Sequence, residues 1–383
     1  MRIGIDARFF GSTCKGLGRY TEKLIQNLEK ISAQGGPASG RDNQYFIFLS
    51  QEGFKEYQPQ TGNFQKVLAN YRWYSLEEQL KMPPLLSKYR LDLVHFPHFN
   101  VPLFYRGKFI VTIHDLILLH FPTLRGTTLG PVCYWFKFWM YEIVIRFAIK
   151  QSKKIIAVSE FTKKDLLKNY AIDPSKIEVT YEACDDFCNW RPEKEDQILK
   201  KYAIMKPYLL YVGNAYPHKN LEKLVSVFCE LKKKITDINL VLVGKEDYFF
   251  KKLKEKITAR KQGAGIVFTG FISDAELDIF YKNALVFVFP SLYEGFGLPP
   301  LEAMAKGVPV ISSDHPCMRE ILGESAFYFK AEDEKEMAEK ITEIVSNSGL
   351  REKFIQKGYA QIKKYNWRLM AEKTKHIYQN NGF

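Results

Sequence analysis

The stretch LVFVFPSLYEGFGLPPLEAMAKGVPVISSD, residues 285–314, decides the fold. LVFVFPS (285–291) is a continuous apolar run of strand length, with no alternation of polar residues. YEGFG follows as a glycine turn. A helix then opens on Pro299, where a missing N–H costs nothing in the first turn, and Gly307 suits its end. PVISSD (309–314) is a second apolar run. Near-continuous apolar strands separated by helices argue for a parallel sheet covered on both faces.

The same rhythm runs through the rest of the chain. Upstream in the second half lie YLLYVGN (208–214), LVLVGK (240–245) and IVFTGF (266–271); AFYF (326–329) lies downstream. The first half repeats it with RIGIDAR (2–8), QYFIFLS (44–50), FQKVLAN (64–70), LDLVHFP (91–97), FIVTIHD (109–115), KKIIAVS (153–159) and KIEVTYEA (176–183). Amphipathic stretches such as GRYTEKLIQNLEKI and SEFTKKDLLKNY intervene, the latter with Ser159 as N-cap. The polar segment 191–206 separates the two series and carries one helix. The expected class is α/β: two doubly wound, Rossmann-like domains, 1–190 and 191–365, facing a central cleft. Residues 366–383 form a last helix that can cross back onto the first domain. GGPASGRDN (35–43) reads as a flexible loop.

The 383 residues are too many for one ordinary core. No stretch is both long and apolar enough to span a bilayer: 131–149 carries Lys137, Glu142 and Arg146. Asp6 and Arg8 come too early for a signal peptide. Six cysteines without a CxxC do not build a disulfide framework, which points to a reduced, cytoplasmic protein. The net charge of +13 favours anionic partners, nucleotide phosphates or an acidic membrane face among them. CYWFKFWMYEIVIRF (133–147) mixes aromatics with cations. It reads mainly as a helix buried under the first sheet, with peripheral contact to an anionic inner membrane face as the alternative.

In open α/β sheets ligands sit beyond the carboxyl ends of the strands, so the turn after 285–291 is the first place to look for chemistry. The amides of Gly295, Phe296, Gly297 and Leu298 surround a helix N-terminus, which attracts an anion such as a diphosphate. Glu294 precedes that turn and can face the cleft. Glu302, in the first turns of the helix, can accept hydrogens from two ribose hydroxyls. A lone pair of acids at this spacing would be ordinary helix-start chemistry. Strand, glycine turn, prolines and two carboxylates together point to a site.

YEGFGLPPLEAMAKGVPVISSD resembles the E-x7-E signature of the retaining glycosyltransferases of family 4, which have the GT-B fold. The resemblance covers nearly the whole chain. It implies that Glu294 lies by the donor sugar and that Glu302 binds the nucleotide ribose. YVGNAYPHKNLEKLVSVF (211–228) places Lys219 near a helix start after the first strand of the second domain. There a lysine meets a diphosphate as a point charge. The stretch is similar to the family's G-R-x4-K segment, but Asn214 stands where arginine is common. PHKN resembles a variant found in mannosyltransferase-like members, and His218 or another basic residue is the candidate for the missing charge. Gly16-Leu17-Gly18 in FFGSTCKGLGRY is no dinucleotide fingerprint; the resemblance implies a glycine-rich loop over the donor phosphate. His114, at the end of a strand, can bond a sugar hydroxyl, and its place matches the family's histidine near the donor hexose. His98 is a candidate on the acceptor side. The backbone at Phe271 and Ile272 matches the segment that reads the nucleotide base.

The expected function is a retaining glycosyltransferase. It moves a hexose, mannose first, from a nucleoside diphosphate sugar to a glycan or lipid-linked acceptor. GDP-mannose is the first donor choice and a UDP-hexose the second. Glu294 and His114 are the catalytic candidates. No Asp-x-Asp site follows a first-domain strand, so no metal and no other cofactor is expected. The alternatives are a nucleotide-sugar epimerase of the same fold and a non-catalytic nucleotide-binding module. Nucleic acid is not expected as a partner, because two carboxylates repel a phosphate backbone.

Overall fold

The computed structural model describes residues 1–11, 15–34, 43–122, 131–184, 195–260 and 262–382. The loop 35–43 and the boundary between 190 and 191 therefore lie largely or wholly outside the described residues. The chain forms two compact units. One comprises Met1–Glu182 with Asn366–Phe383, and the other Ala183–Tyr365.

The first unit is built on a seven-stranded sheet: β1 (Arg2–Asp6), β2 (Gln44–Leu49), β3 (Phe64–Leu68), β4 (Leu93–Phe96), β5 (Phe109–Ile113), β6 (Ile155–Ala157) and β7 (Ile177–Val179). Its order is β3-β2-β1-β4-β5-β6-β7 and every pairing is parallel. The second unit holds β8 (Tyr208–Val212), β9 (Asn239–Val243), β10 (Ile266–Gly270), β11 (Val286–Phe289), β12 (Val310–Ser313) and β13 (Ala326–Phe329). Its order is β10-β9-β8-β11-β12-β13, again all parallel. All thirteen apolar runs read from the sequence are strands. In both sheets the winding reverses after the third strand, which leaves a switch point between β1 and β4 and between β8 and β11. A doubly wound sheet opens a crevice at such a switch point.

The central strands are buried on both faces, as continuous apolar runs require: Val286–Phe289 and Phe109–Ile113 show no more than 2% exposure at any side chain. Ser159 caps the helix Glu160–Asn169, its hydroxyl accepting from the Thr162 amide at 3.0 Å.

The last helix, Trp367–Asn381, packs in the first unit against the helix Lys15–Gln34. Trp367, Met370, Ala371, Thr374, Ile377 and Tyr378 are its buried residues, at the spacing of one helical seam. Burial of each large apolar side chain there is worth about 1.5–3 kcal/mol as an upper bound. The Tyr378 hydroxyl also reaches Nδ1 of the buried His95, on β4, at 2.7 Å.

Candidate active site

In the second unit the chemistry gathers at the carboxyl ends of β8 and β11. Beyond β11, Glu294 is 6% exposed, and its Oε1 accepts from Lys219 Nζ at 2.5 Å. Lys219 closes the short turn Pro217–Lys219 beyond β8. A backbone bond from the Leu292 amide to the His218 carbonyl (2.7 Å) ties the two loops together. Burial alone would raise the Glu294 carboxyl. The charge and hydrogen bond of Lys219, together with smaller contributions from His218 and Ser291, outweigh burial and hold it below the usual carboxylate range. An ammonium has three N–H donors; Glu294 takes one, and the ring of Phe289 lies 5.7 Å away.

His218 does not supply a second charge. Burial, and then the charge of Lys219, push its imidazole down to about 4, so it is neutral near pH 7. Asn214 keeps its loop folded instead. Its Oδ1 accepts from the Tyr216 amide at 3.3 Å, and its carbonyl accepts from the Tyr211 hydroxyl at 2.7 Å.

The turn Gly295–Leu298 runs into the helix Leu298–Ala305, with prolines in its first turn. Gly297 has φ of 94°, and a Cβ there would lie 2.6 Å from Met318 Cε. Only glycine fits both the backbone and the space. Gly307 follows that helix with φ of 73°, as a helix C-terminus favours. Glu302 is 3% exposed and accepts from the Tyr281 hydroxyl at 3.0 Å. Phe271, just past β10, exposes its side chain, whereas Ile272 is buried.

In the first unit, the second cluster surrounds the ends of β4 and β5. His114 Nδ1 faces the Glu182 carboxylate at 2.9 Å, and Nε2 faces the Pro97 carbonyl at 2.9 Å. Both partners are pure acceptors, so both ring nitrogens must donate and the imidazolium is the form that fits. Burial opposes this charge, but the bonds to Glu182 and Pro97 prevail and raise the pKa of His114. The His114 carbonyl accepts from Thr162 Oγ1 at 3.1 Å. His98 stands close by, its Nδ1 3.4 Å from the Tyr74 hydroxyl and its ring against Phe99 and Phe9.

Gly16, Leu17 and Gly18 are not a loop: they form the first turn of the helix Lys15–Gln34. The segment from Lys15 onward has the 3.6-residue apolar spacing of a helix, and glycines are tolerated in a first turn, whose N–H groups have no intrahelical partner. These amides are thus arranged as an anion-attracting helix start.

Sequence reasoning missed Glu182, Tyr281 and the buried group formed by Asp6, Arg8, Glu78 and Asn100. Arg8, beyond β1, holds Asp6 with two bonds of 2.7 Å and also meets Glu78 at 2.5 Å. Asn100 Nδ2 donates to Glu78 at 2.7 Å. Asp6 and Arg8 were visible only as charges inside an apolar run, and nothing in the sequence ties residue 78 to residue 8. Among the described residues, no three His, Cys, Asp or Glu side chains gather as a metal site.

A family model for glycosyl transferases group 1 matches residues 194–361, and one for glycosyltransferase family 4 matches residues 40–186. The O-antigen chain mannosyltransferase RfbU of Salmonella typhimurium is 32% identical over 71% of this chain and 70% of its own length. The O-antigen chain mannosyltransferase B of Escherichia coli is 26% identical over 95% of this chain and 96% of its own. Among solved structures, a glycosyltransferase from Rickettsia africae superimposes with a TM-score of 0.71. It is 21% identical and covers 99% of this chain and 97% of that one. WaaG, a glycosyltransferase of lipopolysaccharide biosynthesis, gives 0.71 at 14% identity, covering 98% and 99%. At these identities the structural likeness establishes the GT-B fold.

Proposed function

The chain belongs to the glycosyl transferases group 1 family, and from that premise we propose that it transfers mannose from GDP-mannose, with retention, to a hydroxyl of a growing glycan. The choice of mannose is supported by its likeness to the two O-antigen chain mannosyltransferases. The observation that carries the site assignment is the buried Lys219–Glu294 pair at the switch point between β8 and β11.

In this reading the diphosphate lies against the Gly295–Leu298 amides and the two remaining donors of Lys219. Charge that develops on the leaving diphosphate is met by dipoles already in place, which is how electrostatic catalysis lowers a barrier. Glu302 takes the ribose hydroxyls, and the backbone at Phe271 and Ile272 takes the base. Glu294, kept anionic by Lys219, orients the sugar and balances positive charge at the anomeric carbon. A carboxylate already bonded to an ammonium is a weaker nucleophile, which favours front-face attack over a covalent glycosyl-enzyme. The anomeric carbon–oxygen bond to the diphosphate breaks as the acceptor oxygen bonds on the same face, and the acceptor proton passes to the departing phosphate oxygen. His114 is assigned to the hexose hydroxyls and His98 to the acceptor.

Thermal denaturation with GDP, UDP and ADP tests the donor. A ligand of the native state at 100 times its Kd adds about 2.7 kcal/mol, so GDP and GDP-mannose raise the midpoint by several degrees and the other nucleotides do not. An equal shift with UDP removes the guanine assignment. Loss of the GDP shift in Lys219→Ala, measured against that variant's own unliganded midpoint, is the result expected for the diphosphate contact.

A further inference from the structure

The Lys219–Glu294 pair as a whole carries no net charge, because the ammonium is matched by a carboxylate at 2.5 Å. Its neighbours in the loop beyond β8 add none. Asn214 has no charge to offer, and His218, pushed down to about 4, is neutral near pH 7. A nucleoside diphosphate brings more than one negative charge, and the diphosphate gains another as its bond to the sugar breaks. Backbone amides at a helix start answer with partial charges only. A site built on a neutral pair therefore calls for a further cation at the same strand ends.

In the second unit a lysine or arginine stands in the loop after β8 (Lys219), after β9 (Lys245) and after β13 (Lys330), and in no other loop that follows a strand. β13 is the far edge of the sheet, two strands beyond β11, whereas β9 lies directly beside β8. β8 and β9 pair with Val212 next to Val243, and the Gly213 amide donates to the Val243 carbonyl at 2.9 Å. One residue further the two backbones touch: a Cβ on Gly244 would collide with the Gly213 carbonyl oxygen, so no side chain fits there. The next residues, Asn214 and Lys245, thus leave their strands side by side at the ligand edge of the sheet. Lys245 is exposed. The two acids that follow it are engaged elsewhere. Glu246 faces Lys254 at 3.4 Å, and Asp247 caps the helix Tyr248–Ala259, accepting from the Phe249 and Phe250 amides at 3.0 Å. Lys245 itself makes no ion pair among the described residues.

We propose that Lys245 is the second cation of the diphosphate site. A lysine is a point charge on a flexible stem, and from the neighbouring strand it supplies the charge that Asn214 and His218 do not. The diphosphate then meets two ammonium groups, of which only Lys219 is offset by a carboxylate. This role rests on the nucleoside diphosphate sugar reading above. Within it, Lys245 also stabilises the charge that grows on the departing diphosphate.

The test is calorimetric titration of the full chain with GDP, UDP and ADP, the melting midpoint of each variant being measured alongside. Whichever nucleotide the parent binds, Lys245→Ala should bind it at least fivefold more weakly. Its unliganded midpoint should not move, since the side chain is exposed and unpaired. Lys245→Arg, which keeps the charge, should stay within threefold of the parent. Lys245→Ala/Asn214→Arg returns a cation to the adjacent strand end and should also recover to within threefold. Lys233→Ala removes an exposed lysine at the far end of the helix Leu221–Lys234 and should bind like the parent. The role of Lys245 is overturned if Lys245→Ala loses less than fivefold, if Lys233→Ala loses as much, or if arginine at position 214 restores nothing. In each of those cases the parent still binds its nucleotide, and the donor reading survives. If the parent binds none of the three nucleotides, the donor reading falls and Lys245 with it.

Discussion

Each unit places a buried ion pair beyond the first strand of its sheet, and the two differ in what they leave open. Beyond β1, the Arg8 guanidinium is committed to Asp6 and Glu78, Asn100 donates to Glu78, and the Tyr74 amide takes the other Glu78 oxygen at 2.8 Å. Arg8 is 1% exposed and Glu78 fully buried. Beyond β8, Lys219 spends one donor on Glu294, and its side chain keeps 13% of its exposure. The first cluster is a closed network whose members satisfy one another. The second holds a charge with donors in reserve. The same topological position thus carries a fully committed cation in one unit and, in the other, a cation with donors beyond its one carboxylate bond. The number of uncommitted donors tells them apart, and burial does not.

The sharpest way to break that contrast is Arg8→Met. It strands two buried carboxylates, and removing one partner of a buried ionic group costs about 3–5 kcal/mol. Urea unfolding of this variant should show that loss, with donor affinity of the surviving folded fraction unchanged. A stable Arg8→Met protein without transfer activity would place Arg8 in the chemistry and dissolve the distinction.

The opposite pattern is expected of Lys219→Ala and Glu294→Gln. Transfer should fall about 10²–10³-fold, the loss seen when one preorganised electrostatic partner is removed, or about 2.7–4 kcal/mol. The melting midpoint should move little for Glu294→Gln, which keeps the shape and the acceptor oxygen. Initial rates with GDP-mannose and calorimetric scans on the same preparations check both halves.

A third prediction uses pH. His218 is pushed to about 4 in the folded chain, against an ordinary value near 6.5. A depressed histidine means that the unfolded chain binds more protons between these values, so stability is lost as pH falls from about 6.5 towards 4. The loss attributable to His218 is about 3 kcal/mol, and His218→Asn should flatten that part of the profile. His114 has the opposite sign. Its pKa is raised, so its contribution is complete below its ordinary value and is lost as pH rises through the folded one. Glu182→Gln should remove this alkaline fall, which proton NMR of the imidazole can follow.

The smallest effect is expected at Tyr378→Phe. It removes the hydroxyl that meets His95, and a buried nitrogen left without a partner costs about 1–3 kcal/mol. His95 is fully buried and pushed down to about 3, first by burial and then by the charge of His114. Its partners, the hydroxyls of Thr112 and Tyr378, can donate or accept, so a neutral ring suits them. His114, just past the end of the adjacent strand β5, meets only acceptors, so the charged ring suits it. A stability change in Tyr378→Phe confined to the first unit would also show how firmly the last helix is held there.

The sequence by itself determined the class and the order of the parts. Thirteen continuous apolar runs, each followed by a helix or a turn, admit little besides parallel sheets, because a strand with no polar face must be covered on both sides. Lys219 and Glu294 were legible because each follows a strand in a recognisable local pattern, and Gly297 and Pro299 because backbone geometry restricts those positions. The pairings were decided only by the tertiary structure. Residues 8 and 78, and 114 and 182, are far apart in the chain, and 281 and 302 lie on separate helices; they meet because the sheets bring together the loops and helices that flank their strands. The helical state of Gly16–Gly18 was decided there too. So was the uncovered face of Pro131–Gln151: the sequence alone favoured burial of that helix, yet Trp135, Phe136, Trp139, Met140 and Ile143 are between 36% and 67% exposed. Local composition says which residues can be buried; long-range packing settles which face is covered, which donors are already committed and therefore which charges remain for a ligand.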